Sequence, residues 1–243
     1  MASATYLGVD LAWGTRNPTG LAAVQGDRLR AAGSVRTDEE ILAWLRPWTD
    51  GPCVVAIDGP LIVTNPTGRR PCEAQLNAVF GRYDAGAHPC NTSRPELAHG
   101  SRGLRLVAQL GLDPAPYSRA DRRAVEVYPH PATIVLFGLD RTIKYKHKPG
   151  RDLAFLRSEL LRLIGHLESL DESDPPLHLA ESVDWQRVRE AVRSASRKSE
   201  LKRVEDTVDA VLCGYLAAFT AHRPHETTVF GDAVTGYIVI PTP

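Results

Sequence analysis

The sequence has few cysteines, no excess charge of either sign and no long apolar run. Its four cysteines, Cys53, Cys72, Cys90 and Cys213, form no CxxC pair and follow no regular spacing. This excludes a disulfide framework and indicates reduced thiols. Lysine plus arginine number 29 and aspartate plus glutamate also number 29, so no net field draws the whole molecule to nucleic acid or anionic lipid. Because the apolar runs are too short to span a bilayer and the first residues lack a signal-peptide pattern, we expect a cytoplasmic protein with no membrane association.

The composition is that of a globular enzyme-sized domain. The chain has 243 residues, of which 43% are hydrophobic and 24% charged. A chain of this length removes roughly 70–75% of its unfolded surface from water, so it can build a core without a metal or disulfide. We expect one domain over residues 1–243, with a loop or lid insertion at about 60–96 and a helical insertion at about 140–200.

Apolar periodicity predicts a mixed α/β arrangement. Strands are predicted at 5–9, 20–24, 29–35, 53–57, 124–128 and 238–240, and helices at 97–110, 153–167, 184–196 and 204–221. The first three strands are expected to be antiparallel, with a turn at Gly26 and Asp27. A capping box at Thr37 predicts a helix that ends at Pro47, and Pro131 is predicted to begin another.

Two of the predicted strands end on an aspartate. Asp10 follows the first strand, and Asp58 follows the central strand 53–57. Ligands of α/β proteins gather at the carboxyl ends of strands, and neighbouring strands lie about 4.8 Å apart, so we expect the two carboxylates to lie together. Two bare carboxylates repel each other. The pair therefore indicates a site for Mg²⁺ or Mn²⁺, of the kind in which two ions about 3.5–4 Å apart act on a phosphodiester.

Further acids are expected at the same site. Glu126 interrupts an apolar strand, and Asp206 and Asp209 share one face of the last helix because they stand three residues apart. Of these two aspartates, we favour Asp209. Each acid alone also has a structural explanation: the strand-ending aspartates could bond loop amides, Glu126 could pair with Arg122 or Arg123, and the start of a helix favours acids. Their combination favours a metal site.

Five motifs occur in order along the chain: Gly8-Val-Asp-Leu-Ala-Trp13, Ala56-Ile-Asp-Gly-Pro60, Arg70-Pro-Cys-Glu73, Glu126-Val-Tyr-Pro-His-Pro131 and Glu205-Asp-Thr-Val-Asp-Ala210. Together they resemble the DUF429 family, and the resemblance covers nearly the whole chain. It implies a ribonuclease H-like fold, with a mixed sheet of five strands or slightly more and helices on both faces. It also implies the nuclease activity that is predicted for this family.

The resemblance assigns roles to the acids. In ribonuclease H-like enzymes an aspartate lies on the first strand, another on the fourth and a third on the C-terminal helix, and Asp10, Asp58 and Asp209 match these places. The usual glutamate of the first helix has no counterpart here, and Glu126 on the fifth strand is expected to substitute for it. The candidate ligands of Mg²⁺ or Mn²⁺ are therefore Asp10, Asp58, Glu126, Asp206 and Asp209.

A basic segment, residues 141–151, is the best local site for a polyanion. It holds five cations and no acid within eleven residues. We expect its three lysines, Lys144, Lys146 and Lys148, to contact phosphates and Tyr145 to stack on a base. The alternative is a solvated loop, since runs of charge are often simply exposed.

Two further residues are candidates for the site. Arg70 is expected to clamp a phosphate or to hold the 60–96 segment closed. His130 stands between two prolines directly after the strand that carries Glu126. We expect it to shuttle a proton or to steady the leaving group, with a structural hydrogen bond as the alternative.

These expectations describe a nuclease that uses two metal ions. Asp10 would bridge the ions, Asp58 and Asp209 would each hold one, and Glu126 would complete a shell or orient the attacking water. The expected partner is DNA or RNA, and a homodimer is left open. One alternative is a phosphoryl-transfer enzyme of the actin-like ATPase class, which begins with a stretch like Asp10–Thr15 but needs two copies of the core. The other is a non-catalytic binding module, which the neutral net charge favours.

Overall fold

The computed structural model describes residues 4–14 and 16–243, so Thr15, the last residue of the ATPase-like stretch, lies outside the described residues. Seven strands form one sheet in the order β3-β2-β1-β4-β5-β7-β6. The strands are β1 Thr5–Asp10, β2 Thr19–Gln25, β3 Arg28–Val35, β4 Cys53–Asp58, β5 Arg122–Val127, β6 Thr227–Asp232 and β7 Gly236–Pro241. The sheet thus has seven strands, where five or slightly more were expected.

The sheet is mixed, with parallel strands at its centre. β1, β4, β5 and β7 run parallel to one another, β2 runs antiparallel to both β1 and β3, and β6 runs antiparallel to β7. The predicted antiparallel arrangement of the first three strands is confirmed, and the turn between β2 and β3 has Gly26 at φ 63°. The central strands β1 and β4 are buried along their length up to the final aspartate, as a strand covered on both faces requires.

Seven helices accompany the sheet in the described part of the chain: α1 Asp38–Thr49, α2 Pro71–Phe80, α3 Arg102–Gln109, α4 Pro129–Phe137, α5 Leu153–Glu168, α6 Val183–Ser194 and α7 Lys198–His222. The longest, α7, packs directly on β1, β2 and β4, and its buried run extends from Glu205 to Phe219. α5 and α6 pack against α7, while α1 contacts β1 and β2 and α2 contacts β6 and β7.

Two glycines allow α7 to approach the sheet closely. A Cβ at Gly8 would lie 1.9 Å from a backbone oxygen of α7, and a Cβ at Gly20 would lie 1.8 Å from another. A side chain at either position would therefore push the helix away from the sheet. Because Gly8 faces α7, the alternation of side chains along β1 also turns Asp10 toward the α7 face.

The helix boundaries differ from the sequence prediction in four places. α1 continues past Pro47 to Thr49, whose buried hydroxyl donates to the carbonyl oxygen of Arg46 and holds the last turn. α4 begins at Pro129, two residues before Pro131, and α7 begins at Lys198 rather than Val204. α3 begins at Arg102, after the predicted start at residue 97. Helix ends are the least predictable part of an element because propensity and packing compete there.

Two elements were not predicted at all. α2 lies inside the segment 60–96, which was expected to be a loop, and β6 forms an edge of the sheet. α2 begins with Pro71 at its first turn, and the Glu73 carboxylate accepts from the backbone N–H of Arg70. Both are known signals for the start of a helix.

The described cysteines are all buried and free. No helix in the described ranges combines the length and the apolar character that a bilayer crossing requires.

Candidate functional site

Two aspartates stand side by side at the carboxyl end of the parallel strands. Asp10 is the last residue of β1, Asp58 is the last residue of β4, and the two are partners in the parallel register. Neighbouring residues of adjacent strands point to the same face of a sheet. Both side chains therefore turn toward α7, and the structure brings together the first two predicted site residues.

Helix α7 brings further acids to the same end of the sheet. Asp209 is 1% exposed, and Asp206 and Glu205 are also buried. Asp206 lies close enough to Asp10 for its charge to raise the pKa of that carboxyl, and Asp209 has the same effect on Asp10 and Asp58. The four aspartates and Glu205 thus form one group, which is buried on α7 and half-buried at the two strand ends, and which we call the acidic cluster.

The acidic cluster carries unfavourable electrostatics. Burial raises the pKa of Asp58 to about 7, the charge of Lys146 opposes this, and Asp209 adds to it. Burial also raises the pKa of Asp10 well above its usual range, again against Lys146 and with help from the neighbouring aspartates. Carboxyls that resist ionisation in this way would be stabilised as carboxylates by added positive charge.

Lys146 is a cation at the centre of the cluster. Its Nζ lies 2.5 Å from Asp209 Oδ2 and 3.3 Å from Glu205 Oε1, and its side chain is 31% exposed. Burial alone would lower the pKa of Lys146, but Asp209 and the other nearby anionic groups raise it well above its usual value. The sequence predicts that Lys146 contacts a phosphate; in the structure its ammonium instead contacts Asp209 and Glu205 of the acidic cluster.

Tyr145 takes a different place from the one expected. Its ring is buried and its hydroxyl donates to Asp209 Oδ1 at 2.6 Å. A buried ring offers no face to an incoming base, so Tyr145 positions Asp209 instead of serving as a stacking platform. Tyr145 is the buried residue between two half-buried lysines, Lys144 and Lys146, whereas Lys148 is exposed.

Asp206 and Asp209 have different partners. Lys202, one turn earlier on α7, contacts Asp206 Oδ1 at 2.6 Å and Glu205 Oε1 at 2.9 Å. The carboxylate of Asp206 is therefore already held by its own helix, whereas Asp209 is held by the segment that carries Tyr145 and Lys146.

Glu126 lies on the other face of the sheet. The register pairs it with Ile57, while Asp58 pairs with Val127, so side-chain alternation turns Glu126 away from Asp58. Its carboxylate accepts from Arg70 Nη2 at 2.6 Å and from the backbone N–H of Leu61 at 2.7 Å. Its charge still adds to the raised pKa of Asp58, but its carboxylate is held by Arg70, so the structure does not place Glu126 among the three aspartates as a fourth ligand.

Arg70 is a buried structural residue. Its guanidinium, 2% exposed, pairs with both Glu126 and Glu73 and also donates to the carbonyl oxygen of Ile62. All three nitrogens are engaged, so Arg70 ties α2 and the loop after β4 to β5 and is not free to clamp a phosphate. The sequence suggested the local arginines Arg122 and Arg123 as partners of Glu126, and the structure corrects this.

His130 lies beside the acidic cluster at the start of α4. Its Nδ1 is 3.1 Å from the Thr142 hydroxyl, and its ring centroid is 5.8 Å from that of Tyr145. Burial, reinforced by the charge of Lys146, lowers the pKa of His130 to about 4. The ring is therefore neutral at pH 7 and can accept a hydrogen bond.

A cavity of about 890 Å³ opens at this end of the sheet. Asp58, His130 and Tyr128 lie in its wall, together with Trp13 from the loop after β1. The basic residues of the wall are Arg69, Arg70, Lys144, Lys146, Lys148 and Arg151, and the acidic ones are Asp58, Glu73, Asp84 and Glu126. A neutral protein thus concentrates cations around one cavity.

Two arginines that were not among the predicted site residues hold the loops around this cavity. Arg151 Nη1 donates to the backbone carbonyls of Lys144 and Lys146 and so fixes the basic segment. Arg102 on α3 donates to the carbonyls of Ala12 and Gly14 and so fixes the loop that carries Trp13. The position of Arg151 in the basic segment was a signal for its role, whereas the role of Arg102 depends on long-range packing that the sequence does not show.

The acidic cluster has the donor chemistry of a Mg²⁺ or Mn²⁺ site. These ions prefer carboxylate oxygens, and Asp10, Asp58 and Asp209 supply them from two strands and one helix. Within residues 4–14 and 16–243, no three His, Cys, Asp or Glu side chains are arranged as a preassembled metal-binding group. Binding of an ion would therefore require Asp209 to exchange its contact with Lys146 for the ion.

Comparison with known proteins gives one family. The model of DUF429, described as a protein of unknown function, matches residues 8–234. Comparison with curated proteins finds no match, and comparison with solved structures finds none either. The matched range contains all seven helices and the acidic cluster. Because the match covers most of the 243 residues, this chain belongs to the DUF429 family.

Proposed function

We propose that this protein is a metal-dependent phosphodiester hydrolase with a ribonuclease H-like core, acting on nucleic acid. The observation that carries the proposal is the convergence of Asp10, Asp58 and Asp209 in one partly buried, electrostatically unfavourable cluster beside a basic cavity. Proteins maintain such clusters chiefly at functional sites, because the repulsion reduces stability.

The topology supports the ribonuclease H-like part of the proposal. The acids lie on the first strand, the fourth strand and the last helix, the places that the resemblance assigns to the catalytic aspartates. The first five strands are adjacent in the order β3-β2-β1-β4-β5, and among them β2 runs antiparallel to both of its neighbours while β1, β4 and β5 run parallel. The strands β6 and β7 extend this arrangement at one side.

Each residue of the site has a separate role in the proposed reaction. Asp10, Asp58 and Asp209 would hold Mg²⁺ or Mn²⁺, which when bound lowers the pKa of water and neutralises charge on the leaving oxygen. Lys146 has a long flexible side chain that reaches the cavity, so after release from Asp209 it can contact a phosphate oxygen. His130, neutral at pH 7, can accept a hydrogen bond at the cavity wall. Glu126 acts as a positioning residue, because it anchors the loop after Asp58.

The proposal is tested by cleavage of single-stranded DNA and RNA oligonucleotides in Mn²⁺. Asp10→Asn and Asp58→Asn should each abolish cleavage while the protein stays folded, because each removes a ligand without changing side-chain size. Asp140→Asn, at an exposed position, is the matched control and should keep full activity. Cleavage that persists equally in both cluster variants would contradict the assignment.

A second candidate function is a non-catalytic module that binds a polyanion. The contact between Lys146 and Asp209 favours it, since the protein already supplies one cation to the acidic cluster. In this case the basic cavity would bind its ligand without Mn²⁺, and the cluster aspartates would be dispensable for binding. Calorimetric titration with Mn²⁺ separates the two, because the hydrolase requires the ion and the binding module does not.

A further inference from the structure

The cavity beside the acidic cluster has dimensions that restrict its ligand. Its volume of about 890 Å³ lies within the range of about 300–1,000 Å³ that is typical of pockets for small ligands. A double helix, whose major groove alone is about 12 Å wide, cannot enter such a space. A few nucleotides of a single strand can.

Three cations of the cavity wall have no acidic partner. Arg70, Lys144 and Lys146 are paired with carboxylates. Arg69, Lys148 and Arg151, by contrast, form no ion pair within residues 4–14 and 16–243, and all three line the cavity. They approach it from two separate segments of the chain, one before α2 and one before α5. Cations that reach one cavity from two segments of the chain suit a phosphate group, which accepts hydrogen bonds on several sides.

An aromatic side chain lies in the same wall. Trp13 is 36% exposed, and the guanidinium of Arg94 lies 4.9 Å from the centre of its ring. The stacked arginine fixes the orientation of the indole, and Arg102 fixes the loop that carries it. An ordered, partly exposed indole is a platform on which a nucleobase can stack.

We infer that this cavity binds the phosphorylated end of a single nucleic-acid strand. The terminal phosphate lies between Arg69, Lys148 and Arg151, and Trp13 stacks on a base. The inference rests on the proposed function, because it places the scissile phosphodiester at Asp58 in the same cavity. It adds the substrate class: single-stranded ends that carry a phosphate, instead of internal positions in a duplex.

The test measures binding in EDTA, where no cleavage can occur. The probes are dithymidylate without a terminal phosphate, the same dinucleotide with a 5′- or a 3′-phosphate, and a blunt DNA duplex without terminal phosphates. Isothermal calorimetry on the full chain should show that one of the phosphorylated dinucleotides binds at least about tenfold more tightly than the unphosphorylated one. The duplex should bind more weakly than that dinucleotide.

A pair of charge variants tests the proposed contacts. Arg69→Gln/Lys148→Gln should remove most of the preference for the terminal phosphate. Arg187→Gln/Lys198→Gln removes the same charge from exposed positions on α6 and α7, outside the cavity wall, and should leave the preference unchanged. An equal effect of the two double variants would overturn the inference, since it would show a general charge effect.

Other outcomes also decide the matter. Equal affinity for phosphorylated and unphosphorylated dinucleotides, tighter binding of the duplex, or no detectable binding of any probe each overturns the end-binding inference. The proposed hydrolase fails separately: if the phosphorylated dinucleotide binds as expected but no oligonucleotide is cleaved in Mn²⁺, the cavity is a binding site and the catalytic proposal falls. If instead oligonucleotides are cleaved in Mn²⁺ but phosphorylated ends are not preferred, the hydrolase proposal stands and the end-binding inference falls.

Discussion

Replacing Asp58 by asparagine should stabilise the protein in the absence of metal. The pKa of Asp58 is about 7 in the folded protein, against an ordinary value of 3.8. Between these two pH values the unfolded chain has lost this proton and the folded protein has kept it. Stability is therefore lost as the pH rises from about 4 to about 7, and the loss is complete above that range.

The size of the effect follows from the shift. A difference of roughly three pKa units corresponds to about 4 kcal/mol, since each unit is worth about 1.4 kcal/mol. Asparagine has nearly the shape of a protonated aspartate and cannot ionise. Asp58→Asn should thus be more stable than the wild type by up to about 4 kcal/mol at about pH 8, which for a chain of this length is a rise in Tm of about 8–16 °C.

The assay is urea unfolding in EDTA at a series of pH values. The difference in free energy of unfolding between Asp58→Asn and the wild type should be close to zero near pH 4 and grow toward pH 8. Asp140→Asn removes an exposed carboxylate and should follow the wild-type profile. Mn²⁺ at about 100 times its Kd should stabilise the wild type by about 2.7 kcal/mol and leave Asp58→Asn unchanged, so the difference near pH 8 should narrow to about 1 kcal/mol.

Parallel pH profiles for Asp58→Asn and the wild type would refute this reasoning. They would show that Asp58 ionises in the folded protein as easily as in the unfolded chain. In that case the carboxylates of the acidic cluster do not destabilise one another in the folded protein, and the main electrostatic argument for a cation site is lost.

Three further predictions concern the packing and the neighbouring groups. Glu126→Gln leaves the buried guanidinium of Arg70 short of counter-charge and should lower the free energy of unfolding by about 3–5 kcal/mol in urea; a loss below about 1 kcal/mol would contradict the buried ion pair. Gly8→Ala places a Cβ 1.9 Å from a carbonyl of α7 and should cost at least about 3 kcal/mol, whereas Gly33→Ala, where a Cβ meets no atom within 4 Å, should change stability little; equal effects would contradict the close approach of α7. The His130 pKa of about 4 predicts that NMR of its ring shows no protonation between about pH 5 and 8, and a midpoint near 6.5 would show that the ring is not buried as described.

The sequence was sufficient for the placement of Asp10 and Asp58. An apolar run that ends on an acid shows both where the strand lies and that the acid stands at its carboxyl end. In a pair of parallel strands the two carboxyl ends lie side by side. The same reasoning located the long C-terminal helix and its acids. These features depend on local periodicity, which the residues display directly.

The pairing of Glu126 could not be predicted in the same way. Its partner Arg70 stands 56 residues earlier, at the start of a helix that the proline- and glycine-rich composition of the segment concealed. The face on which Glu126 lies depends on the register between β4 and β5, and a shift of one residue would have turned it toward Asp58. Register is set by packing along the whole strand.

The basic segment shows a second limit of sequence reasoning. A run of lysines around a tyrosine indicates a binding surface, but it does not show which side chains turn inward. In the structure Tyr145 and Lys146 turn to Asp209, while Arg151 holds their backbone from the other side. The demand for positive charge at a buried carboxylate overrides the pattern of the segment itself.

The most direct test of the account is a calorimetric titration of the EDTA-treated protein, after removal of the chelator, with Mn²⁺. The account predicts saturable binding by the wild type and by Asp140→Asn, and loss of that binding in Asp10→Asn, Asp58→Asn and Asp209→Asn. Binding that is unchanged in all three cluster variants, or absent from the wild type, would contradict the claim that the acidic cluster is a metal site.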